Sequence, residues 1–526
     1  MSSEVRKKIS AETRHFSWLR PKNVLHNLVT MTKKGAVGKE IAIQSWLRPA
    51  QTVVKANKDF EQFRGLLEQI NALLGKAHLE GLAMDLAVDG FEKASARQLR
   101  GRKQFAMKAL RFQVLRSILG NPSYRSLSCS VASSELFASF CGVQQIDAIR
   151  GAAKSTLDRA AKFFSEKQVR WMHQVLIEMS AEGDRAKEIG LAQPIQTGEM
   201  LVDSTCMEAN VHYPTDWVLL RDVSRTLLKA TILIRRAGLC QRMPEDPESF
   251  ARAMNCLCLE MTNTRRKADA KKARKSVLRR IKPLVKTIAC HAKRHRDRLE
   301  ASWQSTHYSE AQSRQIIERI DRMLAQVPAV ITQAHERIIG ERQVQSNAKI
   351  LSVYDANINV IVRGKAGKEV EFGNTLMMAE STQGMILDWK MYPQATPAEW
   401  RQLQESVERQ NEYDVSEAIS AIGSDRGFNS KKGSHELANL EIFDATCPRD
   451  PRALKERFSE KRFERLQRRR ASTEARIAIF KQRVARRLRD KGFDHRCQAV
   501  GWGVLGHNLW IVARMILSQE SILKAA

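Results

Sequence analysis

The sequence predicts a mixed α/β fold: a sheet flanked by helices, preceded by an all-helical region and interrupted by a large helical insertion after its first core strand. Three observations lead to this. Two apolar runs, Leu201-Val202-Asp203-Ser204-Thr205 and Ala418-Ile419-Ser420-Ala421-Ile422-Gly423-Ser424-Asp425, read as buried strands that each carry an aspartate to an exposed end. Between them, from Pro214 to about Gly340, the pattern is nearly all helical. Between 349 and 447, strand-like and helical runs alternate, as helices on the faces of a mixed sheet require.

A chain of 526 residues exceeds one core, and two to four domains are expected. Residues 1–110 read as an N-terminal helical region. Phe60, Phe63, Leu66, Leu67, Ile70, Leu73 and Leu74 form its best apolar face, with Gly75 as the stop. Residues 111–195 read as short helices with tight connections. One covers 136–140 and ends at Cys141-Gly142; another opens at Lys154-Ser155-Thr156. Two readings stay open there: a helix-turn-helix that binds a DNA end, or plain three-helix packing with Ser155 as an N-cap.

The first part of the core spans 196–216, with its strand at about 199–205. The insertion spans 217–345 and contains the amphipathic runs Val218, Leu219, Val223, Leu227, Leu228, Ile232 and Ile316, Ile320, Met323, Val327. Within it, 265–298 holds fifteen Lys/Arg against two Asp, a density that favours a polyphosphate contact surface over an ordinary solvated face. The remainder of the core, 346–526, is expected to have strands at 349–354, 359–362, 375–379, 385–391 and 442–447. Helices are expected at 398–412, 433–440 and 461–490. Residues 364–368 read as a hairpin turn and not a nucleotide-binding loop, since no helix and no Lys-Ser/Thr ending follow.

Composition narrows the function classes. An apolar fraction of 43% supports globular domains, and a formal charge of +30 with pI near 10 calls for a polyanionic partner, nucleic acid above all. No membrane partner is expected: the most apolar stretch, 501–517, is broken by His507, Asn508 and Arg514 and reads as a buried core helix, while residues 1–20 lack the apolar core of a signal peptide. A soluble cytoplasmic, nucleoid-associated protein follows. The nine cysteines, with Cys256 and Cys258 the one close pair and Cys290-His291 nearby, have no zinc-ligand spacing and read as buried free thiols.

The chemistry concentrates on the helix 461–490, free of Pro and Gly, where Phe463, Leu466, Ile477, Phe480, Val484 and Leu488 form the apolar stripe. Arg470, Glu474 and Lys481, spaced by four and seven, share one face. A carboxylate framed by two cations suits metal-dependent phosphoryl transfer: the acid holds a divalent ion and the cations hold phosphates. Two strand-end aspartates, Asp203 and Asp425, together with Glu474 could converge on a pair of ions.

These blocks resemble the DDE transposases of bacterial insertion sequences. Asp-Ser-Thr at 203–205, followed by Asn-x-His-Tyr-Pro-Thr-Asp at 210–216, looks like the family's first-aspartate block. Ser-Asp-Arg-Gly-Phe at 424–428 is similar to the second, and Arg470-x3-Glu474-x6-Lys481 to the third; many relatives carry a Tyr where this chain has Gln467. The resemblance covers about 195–515. It implies a ribonuclease-H-like sheet in which the first strand pairs with the next two, the block 217–340 is inserted between them, and no comparable insertion falls between Cys447 and Glu474. It further implies Asp203, Asp425 and Glu474 as catalytic ligands of two Mg2+ ions (Mn2+ as a substitute), and Arg470, Lys481 and Arg426 as DNA-positioning cations. The implied partners are double-stranded DNA, as terminal inverted repeats and target, and a second copy of the chain in a homodimeric synaptic complex. Against this stand two alternatives: a non-catalytic relict or architectural DNA-binding protein, for which charge and helices suffice, and a structure-selective nuclease on the same core.

Overall fold

The computed structural model describes residues 57–525 except 92, 144–150, 212, 265–268, 346–347, 366–367, 394–395, 413–417 and 485–486. The expectations for the chain start, for His212 and for the tip of the 364–368 turn lie outside the described residues. The chain divides into two compact units: Met1–Glu208 with Thr375–Tyr392 and Thr396–Ala526, and Ala209–Asn374 with Pro393–Ala395.

The first unit opens with helices. In α1 (Lys58–Lys76) the Asn57 side chain accepts from the Phe60 amide at 3.0 Å, and the buried face is Leu67, Ile70, Leu73 and Leu74. The helix runs past Gly75, which is not its stop. After α2 (Leu79–Val88), α3 (Ala96–Ile118) begins at a Ser95/Gln98 capping box and is one helix straight through position 111, where short helices were expected to begin. Then come α4 (Tyr124–Ser133), α5 (Glu135–Phe140), α6 (Lys154–Ala161), α7 (Glu166–Ala181) and α8 (Gly183–Ile189). Ser155 is not the cap of α6: Ala153 holds that position without a side-chain hydrogen bond. Residues 141–153 separate α5 from α6. Strand β1 (Glu199–Ala209) follows, four residues longer than its sequence signal.

The second unit is built on α9 (Asp216–Arg236), α10 (Pro247–Asn263), α11 (Ala270–Ser302) and α12 (Glu310–Ala334). They share a core that includes Leu220, Leu227, Leu278, Ile281, Val285, Ile320 and Val330. Asp216 opens α9 and is buried; both its oxygens lie 2.8 Å from Arg337 Nη1, and Gln333 donates to it at 3.0 Å, so its task is to tie α9 to the end of the bundle. The strand expected at 349–354 is absent. Leu351 and Val353 are buried as its pattern required, but the backbone partners are side chains: Gln333 accepts from Ile350 N at 2.7 Å and donates to Ile350 O at 3.2 Å, and Gln326 donates to Val353 O at 3.1 Å. Strand β2 (Asn359–Lys365) then pairs antiparallel with the first part of β3 (Lys368–Ser381).

The first unit resumes in the second half of β3. It continues with β4 (Ile386–Met391), α13 (Glu399–Glu412), β5 (Ala421–Ser424), α14 (Lys431–Asn439), β6 (Phe443–Thr446), α15 (Pro451–Arg457), α16 (Lys461–Val484), β7 (Arg487–Leu488) and α17 (Phe493–Ala525). Strand order runs β2-β3-β1-β5-β6, with β4 on β3 and β7 on β1. The first core strand therefore meets β3 but not β4. β3 and β4 form a hairpin with a turn at 382–384, and β4 takes the far side of β3. Helix α16 ends at Val484, short of 490, and Leu488 is buried in β7 instead.

The polar residues that interrupt the apolar run 501–517 have a structural use. Asn508 on α17 accepts from Ile386 N at 2.9 Å and donates to Ile386 O at 2.8 Å, and His173 Nε2 also reaches that carbonyl at 2.8 Å. These side chains close the outer edge of β4, beside which no further strand lies among the described residues. By length and composition α17 could cross a membrane, but 72% of its most apolar window is buried inside the protein, as a core helix. All nine cysteines are free; Cys141, Cys206, Cys258, Cys447 and Cys497 are buried, whereas Cys129, Cys240, Cys256 and Cys290 are exposed, against the expectation of buried thiols throughout.

One buried ion cluster ties three elements together. Asp388 on β4 is fully buried and meets Arg170 of α7 at 3.1 Å, Arg409 of α13 at 2.7 Å and the Ser406 hydroxyl at 2.7 Å. Substituting Asp388→Ala leaves two largely buried guanidinium groups with only the more distant Glu166 and Glu405, and a loss of about 3–5 kcal/mol is expected in urea unfolding; an unchanged midpoint would show that the cluster contributes nothing.

Candidate active site

Parallel pairing places Val202 of β1 opposite Ser424 of β5. The next residue along each strand is an acid, so Asp203 and Asp425 leave neighbouring strands, about 4.8 Å apart, at one level and toward one face. Asp203 is not at the end of its strand, as the sequence pattern indicated, but at the end of the β1–β5 ladder; β1 itself continues to Ala209. Both carboxylates are held by local amides. Ser204 N donates to Asp203 Oδ1 at 2.6 Å, and Gly427 N donates to Asp425 Oδ1 at 2.9 Å, closing a turn immediately after β5.

Helix α16 brings the third acid. Phe463 and Leu466 are buried against Leu201, Ala421 and Ala445, which presses its first half onto β1, β5 and β6. Gln467, 8% exposed, fixes the register: its amide nitrogen donates to the Ser424 carbonyl at 3.1 Å and to the Ala445 carbonyl, while its oxygen accepts from Arg470 Nε at 3.1 Å. One amide thus links two strand ends to the arginine of the signature. Further along, the buried Thr473 hydroxyl donates to Glu380 Oε1 of β3 at 2.7 Å, and Arg469 donates to the Thr382 carbonyl. These bonds set the rotation of the helix at the residue before Glu474, which is itself exposed.

The electrostatics show which charges meet. The Asp203 carboxyl is pushed up to about 6, first by burial and further by the Asp425 and Glu474 carboxylates, against the lowering pull of the Ser204 amide and of Arg470. Residues separated by more than 200 positions therefore act on one group. Among the described residues no group of three or more His, Cys, Asp or Glu side chains is drawn close enough to hold a metal ion ready-made; the repulsion felt at Asp203 opposes tighter gathering of bare carboxylates. Three hard oxygen donors with this repulsion between them are nevertheless a donor set that fits Mg2+ or Mn2+. Arg470 and Lys481 are half-buried on α16, and Arg426 is exposed in the turn after Asp425, where its carbonyl accepts from Arg449.

A fourth carboxylate at this place escaped the sequence reading. Glu399, the first residue of α13, accepts from the Ser204 hydroxyl at 3.3 Å, and a Cβ on Gly427 would lie 2.0 Å from Glu399 Oε2 and 3.1 Å from Asp425 Oδ1. Gly427 is thus the space the Asp425 and Glu399 carboxylates share, and any side chain there would push one of them out. In the sequence Glu399 is indistinguishable from the acids that commonly open helices.

Two measurements probe this arrangement. Since the folded-state pKa of Asp203 lies above its ordinary value of 3.8, its ionisation costs stability; the cost is absent below that value, grows as pH rises through about 6 and is complete above it. Without divalent ions, Asp203→Asn is therefore expected to raise the melting temperature above pH 6 and to lose that gain below 3.8; a gain independent of pH would contradict the assigned environment. Gln467→Leu strands the two buried strand-end carbonyls and is expected to cost about 1–3 kcal/mol in urea unfolding, with no loss if water replaces the amide. Comparison of the chain with family models, curated proteins and solved structures gives no match.

Proposed function

We propose that this chain is a DNA transposase of the DDE type, a cytoplasmic enzyme that cleaves the ends of an insertion sequence and joins them to target DNA. The observation that carries the proposal is the level placement of Asp203 and Asp425 on adjacent parallel strands, with Glu474 and Arg470 acting on Asp203 from α16. The strand order β4-β3-β1-β5-β6, with acids at the β1–β5 ladder end and on α16, the second helix after β6, supports a ribonuclease-H-like reading of the sheet. The formal charge of +30 supports a polyanionic substrate.

Asp203, Asp425 and Glu474 would hold two divalent ions through carboxylate oxygens, with Glu399 beside them. Such ions supply Lewis acidity at both the entering and the departing oxygen of an in-line displacement at phosphorus. Asp203 must be deprotonated to serve as a ligand, so its raised pKa makes ion binding weaken as pH falls through about 6. Arg470, oriented at Nε by Gln467, presents the fork of its guanidinium to a phosphate. Hydrolysis at the element's end leaves a 3′-hydroxyl, and attack of that hydroxyl on a target phosphodiester is the same displacement with a different nucleophile. One site therefore serves both steps, without a covalent protein intermediate, and a homodimer would hold two ends together.

In a Mg2+-dependent assay on DNA containing element ends, Asp203→Asn, Asp425→Asn and Glu474→Gln are each expected to lower cleavage by at least about 100-fold while the protein still retards those ends on a gel. Cleavage at the wild-type rate by any one of them removes that residue from the reaction. Nicking confined to branched DNA, without strand transfer, would point to a nuclease instead.

A further inference from the structure

The second unit carries a charge pattern that the acid site does not use. Helix α11 holds two seven-residue repeats at once. Leu278, Ile281, Val285, Ile288, Ala292, His295 and Leu299 recur at alternating intervals of three and four and are buried in the bundle. On the outer side Lys272, Arg279, Lys286 and Lys293 recur every seven residues, and all four are exposed. Seven residues make nearly two turns and advance about 10.5 Å, so the four cations form a line of roughly 32 Å along a single helix.

The line is free of acid. Between Ala270 and Arg296 the helix has no Asp or Glu, and Lys272, Arg279, Lys286, Lys293 and the neighbouring Arg294 have no ion-pair partner among the described residues. Four cations off the line are paired with acids, Lys271 and Lys275 with Glu341, Arg280 with Glu260, and Arg296 with Asp297, Glu300 and Asp321, while Arg274 and Lys282 meet Thr264 and His335. Neighbouring charges on the line are about one screening length apart at 0.1 M salt, so they hardly repel one another there, and a polyanion that contacts all four gains by releasing its counterions.

The chemistry selects the polyanion. A helix that lies on an anionic membrane sinks an apolar face between the headgroups, but the apolar face of α11 is consumed by the bundle, and between the cations the outer side shows Ser276, Pro283 and Cys290. A line of about 32 Å along one helix matches one turn of duplex nucleic acid, whose repeat is about 34 Å. We propose that Lys272, Arg279, Lys286 and Lys293 form a docking rail for the phosphate backbone of a DNA duplex, contributing affinity without reading bases. This surface does not rest on the acid site and would hold DNA even in a chain without catalysis.

The test is made on the full chain, with a fluorescent 30-base-pair duplex of arbitrary sequence followed by anisotropy across a series of KCl concentrations. In the rail variant all four residues become Gln; the control variant, Arg252→Gln/Arg314→Gln/Arg319→Gln/Arg322→Gln, removes equal charge from exposed positions elsewhere in the same unit. Each lost phosphate contact lowers the slope of log affinity against log salt by about 0.9, so the rail variant is expected to lose roughly 3–4 from the slope and more than about tenfold in affinity at 0.1 M salt. The control variant should keep the wild-type slope, and the melting temperatures of the rail and control variants should match that of the wild type. An unchanged slope in the rail variant overturns the proposal, as does an equal loss in the control, which would mean that net charge alone matters. Rail-dependent binding to anionic phospholipid vesicles with no rail-dependent binding to the duplex would assign the surface to a membrane.

Discussion

The register of one strand pair governs the acid-bearing unit of this protein. With Val202 opposite Ser424, two aspartates separated by 222 positions emerge at the same level of a parallel ladder. A slip of a single residue would turn one of them to the opposite face of the sheet. The surroundings are consistent with the need to hold that register: Gly423 lets Leu201 approach the ladder closely, and Gln467 binds the carbonyls at the ends of both β5 and β6. Gathering acids in a half-buried place is unfavourable in itself, and the raised Asp203 pKa expresses that cost. Stability elsewhere in the unit offsets it, notably the Asp388 ion cluster and the closing of the β4 edge by Asn508.

Much of this was legible in the chain because the relevant signals are local. Apolar runs ending in Asp203 and Asp425, a helix carrying Arg470, Glu474 and Lys481, and a polar interruption at His507 and Asn508 are each visible within a window of a dozen residues. Where the reading failed, the deciding contact was distant. Residues 349–354 have a strand's alternation, but amides of Gln326 and Gln333 supply the partners a sheet would have provided. β1 extends past its apolar signal, and Leu488 continues a helical stripe although the chain has already left the helix. Glu399 gave no sign at all, since only folding brings Gly427 beneath it.

Gln467 shows how much one planar group can join. A tyrosine there, as in many members of the family that this segment resembles, offers a ring and a hydroxyl. The amide instead offers a donor and an acceptor on opposite atoms of one planar group, and both are used: the nitrogen on strand carbonyls, the oxygen on Arg470. Its two roles are coupled, because the orientation that satisfies the carbonyls also fixes where the guanidinium stands.

The first unit is assembled from three separate stretches of chain, whereas nearly all of the second is one continuous stretch from Ala209 to Asn374. During synthesis from the N-terminus the helical bundle can therefore collapse on its own local contacts, while β1 waits for β5 and β6, more than 200 positions further on. Such long-range pairing is slow to form. A ribosome-bound fragment would thus have a complete basic bundle well before its acids could meet, so that anything the acids do is withheld until α16 has emerged.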